Sequence, residues 1–165
     1  MEIIYKRRSI RNYTDKKIGE KNLKKILKAG MNAPSAHNLK PYEFIVVTKK
    51  QTLKDLSKTG LYCHMLEYAQ AAIVIISIAD EEKTPYWQAD CGAVAENMLL
   101  EATHLGIGSC WIGEYPNIEK CKKVKQILRI PNNYKVFATI ALGYATKEKE
   151  PNNNYYEEKV HQETF

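Results

Sequence analysis

Three arginines fall within five residues, Arg7, Arg8 and Arg11. Guanidinium groups stay charged at neutral pH and can grip phosphate oxygens two at a time. Ser9 lies among them and adds a hydroxyl. This set suits a phosphorylated ligand, and a solvent-facing basic turn has the same composition. A second polar stretch is the loop Pro34-Ser35-Ala36-His37-Asn38-Leu39-Lys40-Pro41. A third follows Gly106 and Gly108 and reaches Trp111, Ile112 and Gly113, where glycine permits close backbone approach to a ligand. No pair of side chains has the look of a nucleophile with its base, and there is no GxGxxG dinucleotide fingerprint. The histidines, 37, 64, 104 and 161, have no metal-ligand spacing, so no metal is expected.

These stretches need elements to hold them. Residues 2–7 predict a short helix running into the arginines. Leu23, Ile26, Leu27, Gly30 and Met31 recur at helical period, and Pro34 predicts that this helix has stopped. Residues 44–48 read as a strand and 51–58 as a short helix. Residues 63–70 are expected to be helical. Residues 72–79 are apolar on both faces, which predicts a central strand. Residues 88–105 predict a long helix, apolar around much of its girth and rich in small residues, ended by Gly106 and Gly108. A strand over 109–112, a helix over 118–128 and a last strand over 134–143 complete the series. Glu96 is expected at the surface of the long helix, and His104 near its end, where a cation suits the dipole.

The chain of 165 residues fits one domain, residues 1–165, large enough to bury roughly 70% of its unfolded surface. Its net charge is +6, and much of the lysine excess falls on amphipathic stretches, which predicts solvated helix faces rather than a nucleic-acid partner. The four cysteines form no CxxC pair; Cys91 and Cys110 lie in apolar surroundings and read as core residues. A reduced, cytoplasmic setting is the expectation. The first eight residues hold no signal-peptide core. The longest apolar run, residues 69–79, is shorter than the roughly 20 residues a membrane helix needs, so no membrane partner is expected. The closing stretch, residues 147–165, carries Tyr155, Tyr156, Val160 and Phe165 without a core of its own and predicts a tail that docks elsewhere.

Taken in order, four segments resemble the nitroreductase family of flavoproteins: Arg-Arg-Ser-Ile-Arg-Asn-Tyr at 7–13, the proline–serine–asparagine loop within 33–44, the helix, glycine turn and strand of 90–113, and Ala-Leu-Gly-Tyr-Ala at 141–145. The resemblance spans nearly the whole chain. It implies an α+β fold, with a central mostly antiparallel sheet of about four strands flanked by helices. It further implies an intertwined homodimer, whose extended C-terminal tail docks on the partner subunit, with one FMN at each subunit interface. By position, Arg7, Arg8, Ser9 and Arg11 match the residues that hold the flavin phosphate, ribityl chain and pyrimidine edge. Pro34, Ser35, Ala36 and Asn38 match the loop given by the other subunit. Trp111, Ile112 and Gly113 match the segment lying against the isoalloxazine near N5. Cys63 and His64 fall where relatives approach the pyrimidine. Lys147 or Lys149 stands in for a tail arginine that many relatives direct to the FMN phosphate.

The activity implied is transfer of electrons from NADH or NADPH, a transient donor, through flavin to a nitroaromatic, quinone or related small acceptor. Two alternatives stay open. One is other flavin chemistry on the same fold, such as dehalogenation, ene reduction or oxidation with a different donor. The other is a non-catalytic FMN-binding protein. The link at residues 80–87 is shorter than the lid insertion of larger relatives, which leaves Tyr86 or Trp87 as a local wall.

Overall fold

The computed structural model describes residues 2–78, 80 and 82–165. Five α-helices and four strands are formed among the described residues. In chain order they are α1 (Ile3–Lys6), α2 (Glu20–Met31), β1 (Tyr42–Val47), α3 (Lys50–Ser57), β2 (Ala71–Ser77), α4 (Trp87–His104), β3 (Gly108–Gly113), α5 (Ile118–Leu128) and β4 (Lys135–Gly143). The strands make one sheet in the order β1-β2-β4-β3, antiparallel at every pairing.

β2 shows why helices cover both faces. All seven of its residues are buried, and side chains alternate across a strand. Ala72, Val74 and Ile76 join a core with Leu53 and Leu56 of α3 and Val124 of α5. Ala71, Ile73 and Ile75 join the opposite core with Ile26 of α2 and Val94 and Met98 of α4. Residue 79, the expected end of this strand, lies outside the described residues.

α4 is the buried centre of the second core, as its small and apolar residues predict. α2 lies close on it: a Cβ at Gly30 would stand 2.4 Å from Met98 Cε. α4 ends in a paired cap. Gly106 takes a φ of 68°, its N–H donates to Thr103, and the Ile107 N–H donates to Ala102. Gly108 has a different task from the helix stop expected of it. It opens β3, where a Cβ would meet Ile10 Cγ2 at 2.8 Å.

Two other expectations need correction. Residues 63–70 form only one 3-10 turn, His64–Glu67, whose Met65 and Leu66 are buried with Cys63 and Ala69 in the core shared with α3 and α5. β1 starts two residues earlier than its β-branched run, since Tyr42 pairs with Ser77 and buries its ring.

Candidate functional site

The arginine stretch is laid along the free edge of β3. Ser9 bridges Ser109 in parallel, and the Ile10 N–H donates to the Ser109 carbonyl at 2.8 Å. Two buried side chains lock the seam. Ile10 packs over Gly108, and Tyr13 covers Gly143 while its hydroxyl donates to the Ile10 carbonyl at 2.6 Å. Burial pushes the Tyr13 phenol well above its usual range, so it stays a neutral donor.

Backbone groups of alternate residues in an antiparallel edge strand point away from the sheet. In β3 those residues are Ser109, Trp111 and Gly113. Ser109 gives its carbonyl to Ile10, Gly113 gives its carbonyl to Lys120 Nζ at 2.7 Å, and Glu114 N–H turns back to Phe137 of β4. Ser9 and Ile10 thus cover one end of the edge, and beyond them, among the described residues, the Trp111 backbone and the Gly113 N–H face outward while Lys120 holds the Gly113 carbonyl. The Ser109 hydroxyl is buried there without a hydrogen-bond partner among the described residues.

The three arginines diverge from this seam. Arg7 Nε pairs with Glu96 Oε1 of α4 at 3.3 Å, so Glu96 is a partner within the chain rather than a free surface acid. Arg8 donates to the Glu150 carbonyl of the tail. Arg11 is exposed and lines a cleft of about 430 Å³ with Asn12, Thr146, Lys147 and Lys149. Of the two tail lysines, Lys149 reaches the seam, where Nζ donates to the Ser9 carbonyl at 3.0 Å. The tail runs back along the N-terminal segment, with Thr146 N–H on Asn12 and Asn152 N–H on Tyr5.

The proline–serine loop is placed elsewhere. Its Ala36 N–H donates to Asp90 Oδ1 at 2.9 Å, at the start of α4, and the Lys40 N–H donates to Ser35 Oγ at 3.0 Å. His37, Asn38 and Lys40 all have left-handed backbone, with φ of 52°, 56° and 49°. Pro34, His37 and Asn38 are exposed.

Trp111 is half exposed, its ring tilted on Phe137 at 5.7 Å between centroids. Ile112 is a correction. Its side chain is buried in the core and its backbone is registered with Thr139, so it has nothing left for a ligand. Cys63 is a second correction. It is fully buried, with the Thr59 hydroxyl 3.5 Å from its sulfur, and cannot touch a flavin. His64 is exposed on its turn. Trp87 is also buried, stacked edge-on to Tyr115 and Phe137, so only the exposed Tyr86 is free to act as a wall.

Three residues of the site escaped the sequence reading: Asp90, Glu114 and Lys120. Glu114 is 1% exposed, directly after Gly113. Its Oε1 accepts from the Thr139 hydroxyl at 2.7 Å, and Lys120 Nζ stands 3.2 Å from Oε2. Burial raises its pKa, opposed by the Thr139 bond and by Lys120. An acid closing an apolar strand was the signal available for it, as an acid in the first turn of an apolar helix was for Asp90.

The chain matches the family model described as "Putative TM nitroreductase" over residues 1–163. It is 44% identical to the "Putative NADH dehydrogenase/NAD(P)H nitroreductase" of Archaeoglobus fulgidus, across 100% of this chain and 98% of that protein. The structure of an FMN-dependent nitroreductase from Clostridium difficile R20291 superposes with a TM-score of 0.91 at 39% identity, covering 99% of this chain and 98% of the other. The NADPH:FMN oxidoreductase of Vibrio harveyi, complexed with NAD+, superposes with a TM-score of 0.87 at 26% identity, covering 99% and 76%. The chain belongs to the nitroreductase family, and its α+β fold with a four-stranded antiparallel sheet is the fold of these neighbours. No helix among the described residues is long and apolar enough to cross a membrane.

Proposed function

We propose that this protein is an FMN-dependent oxidoreductase that draws electrons from NADH or NADPH and delivers them to a small acceptor such as a nitroaromatic or quinone. The observation that carries the reading is the open edge of β3 at Trp111 and Gly113, set beside Arg11, Ser9 and Lys149 on one seam. Its donors fit the cofactor: permanent cations for a phosphate, a buried unpartnered hydroxyl at Ser109, and backbone groups on a free edge. The family membership and the names of the relatives support the same reading.

In this reading Arg7, Arg8, Ser9 and Lys149 hold the phosphate and ribityl end. Arg11 lies toward the electron-rich pyrimidine edge and favours the reduced state. Gly113, without a side chain, lets the backbone approach the ring, and the half-exposed Trp111 borders it. Bound FMN supplies the redox chemistry, accepting a hydride from the nicotinamide and passing electrons on. The chain's own part is binding, orientation and charge.

The site is completed by a second copy of this chain. Asp90 holds Ala36 at the start of α4, and in this reading a homodimer brings the partner's Pro34–Asn38 loop to the flavin. The tail supports this, since Tyr155, Tyr156, Val160 and Phe165 are all more than half exposed in the single chain. A single domain over residues 1–165 and a cytoplasmic location belong to the same proposal.

Purified protein should be yellow, and its flavin absorbance should bleach on adding NADH or NADPH. Protein that is colourless and takes up no added FMN refutes the proposal. Sedimentation at micromolar concentration should give twice the chain mass, and a flavin-bound monomer would refute the shared site.

A further inference from the structure

We propose that Lys120, held by the buried Glu114, is a positioning residue for the open edge of β3: it fixes the Gly113 carbonyl and with it the backbone that faces the cofactor. The inference rests on the flavin reading above and adds a residue to its machinery.

Four observations carry it. Lys120 Nζ makes its short hydrogen bond to the Gly113 carbonyl, not to the carboxylate, which it meets at the longer 3.2 Å. The ammonium therefore acts on the backbone, and Glu114 serves to hold it there. Both partners are withdrawn from water, with side-chain exposures of 13% for Lys120 and 1% for Glu114. A buried ion pair is costly to desolvate, and apolar residues of the same volume often stabilise a fold as well or better. Fold stability alone gives weak reason for charge at this place. The pair is also anchored from two sides, by β4 and by the cap of α5. Thr139 of β4 donates to Glu114, and Asn117 caps α5 by accepting from the Lys120 N–H at 3.0 Å. Space is kept for the lysine stem, since a Cβ at Gly60 would stand 3.1 Å from Lys120 Cε.

The physical consequence follows from the end of the strand. Gly113 is the last residue of β3, and its outward carbonyl has no neighbouring strand to pair with. Without Lys120 that carbonyl is satisfied only by water. A glycine at a strand end then regains backbone freedom, and the groups aimed at the flavin lose their fixed direction. A cation beside that edge also favours the electron-rich reduced state of a bound flavin.

The test uses full-length flavin-loaded protein and three variants: Lys120→Met, Lys120→Arg, and the paired Glu114→Gln/Lys120→Met. The paired variant leaves no buried unpaired charge and keeps an acceptor for Thr139, so it folds where the single methionine variant does not. In the paired variant, amide exchange over residues 111–114 should quicken about ten-fold, the value of one lost hydrogen bond. The midpoint potential of its bound FMN should fall, and reduction by NADH or NADPH should slow by a similar factor. Lys120→Arg, which keeps the charge and a donor, should restore most of both effects. A paired variant with wild-type exchange and wild-type potential overturns the proposal. So does a folded arginine variant with the exchange and potential of the paired variant. If wild-type protein binds no FMN, the flavin reading itself falls, and the inference with it.

Discussion

The arginine segment and the proline–serine loop are both short, polar and close to the surface, yet they are held in opposite ways. Residues 7–14 are fastened by backbone hydrogen bonds to β3 and to Tyr144, with Ile10 and Tyr13 buried beneath. The proline–serine loop is held by side chains, with Asp90 accepting from the Ala36 N–H and Ser77 donating to the Pro41 carbonyl, and keeps three residues in left-handed backbone that costs roughly 1–2 kcal/mol each. A segment of the first kind holds its shape through the sheet. One of the second kind depends on a few side-chain contacts and stores strain, which is a pattern of functional loops.

The comparison is broken most severely at the seam. Gly143→Ala would put a Cβ 2.6 Å from the Tyr13 ring. The expected loss of stability is about 1–3 kcal/mol, read from urea midpoints, together with poor FMN retention. A variant as stable as wild type would show that the seam is looser than the packing implies.

At the loop, Asp90→Ala removes the acceptor of the Ala36 N–H. FMN affinity should drop about ten-fold in a fluorescence titration, while Asp90→Asn, which keeps an acceptor oxygen, should stay near wild type. Equal behaviour of the two would mean that Asp90 does not hold the loop for the ligand.

The seam's own cations should separate by role, with effects of several-fold. Arg7→Ala should mainly weaken FMN retention, even though Glu96 already occupies its Nε. Arg11→Ala should lower the flavin potential and slow its reduction. If both variants matched wild type in titration and potential, the phosphate and pyrimidine assignments would be wrong.

Glu114 offers a smaller effect with a definite sign. Its folded pKa is raised, chiefly by burial, so between the unfolded and folded values the native state keeps a proton that the unfolded state has given up. Stability from this group is present at acid pH and is lost as pH climbs from about 4.3 through the raised value. Denaturation curves for Glu114→Gln and wild type should therefore diverge over that window, with wild type losing ground as pH rises. The least effect is expected at His64, which is exposed on its turn. His64→Ala should leave FMN affinity within about two-fold of wild type, under 0.5 kcal/mol.

Much of the architecture could be read from the chain because local patterns and tertiary needs agree. The α5 helix was expected over residues 118–128 and occupies Ile118–Leu128, where Cys121 and Val124 mark its buried face. β2 was legible because both of its faces are apolar. Residues 63–70 misled, because a short turn buries their apolar side chains in the core as well as a helix would. Within the candidate site, the types and order of Arg7, Arg8, Ser9 and Arg11 were legible, since charge and hydroxyl chemistry belong to the residue, while the choice between Lys147 and Lys149 was not. Ile112 and Cys63 were not, because a position next to a site says nothing about which way its side chain points.

By itself the sequence determined the family, the alternation of helices and strands, and the cationic chemistry of residues 7–11. These follow from side-chain type and period, which are local properties. Only the tertiary structure decided that the seam lies on the free edge of β3 and that Ile112 faces inward while Gly113 faces out. It also decided that Glu114 is buried beside Lys120 and that Asp90 holds the proline–serine loop at the start of α4. Those facts depend on strand order, register and burial, which arise from contacts between residues far apart in the chain.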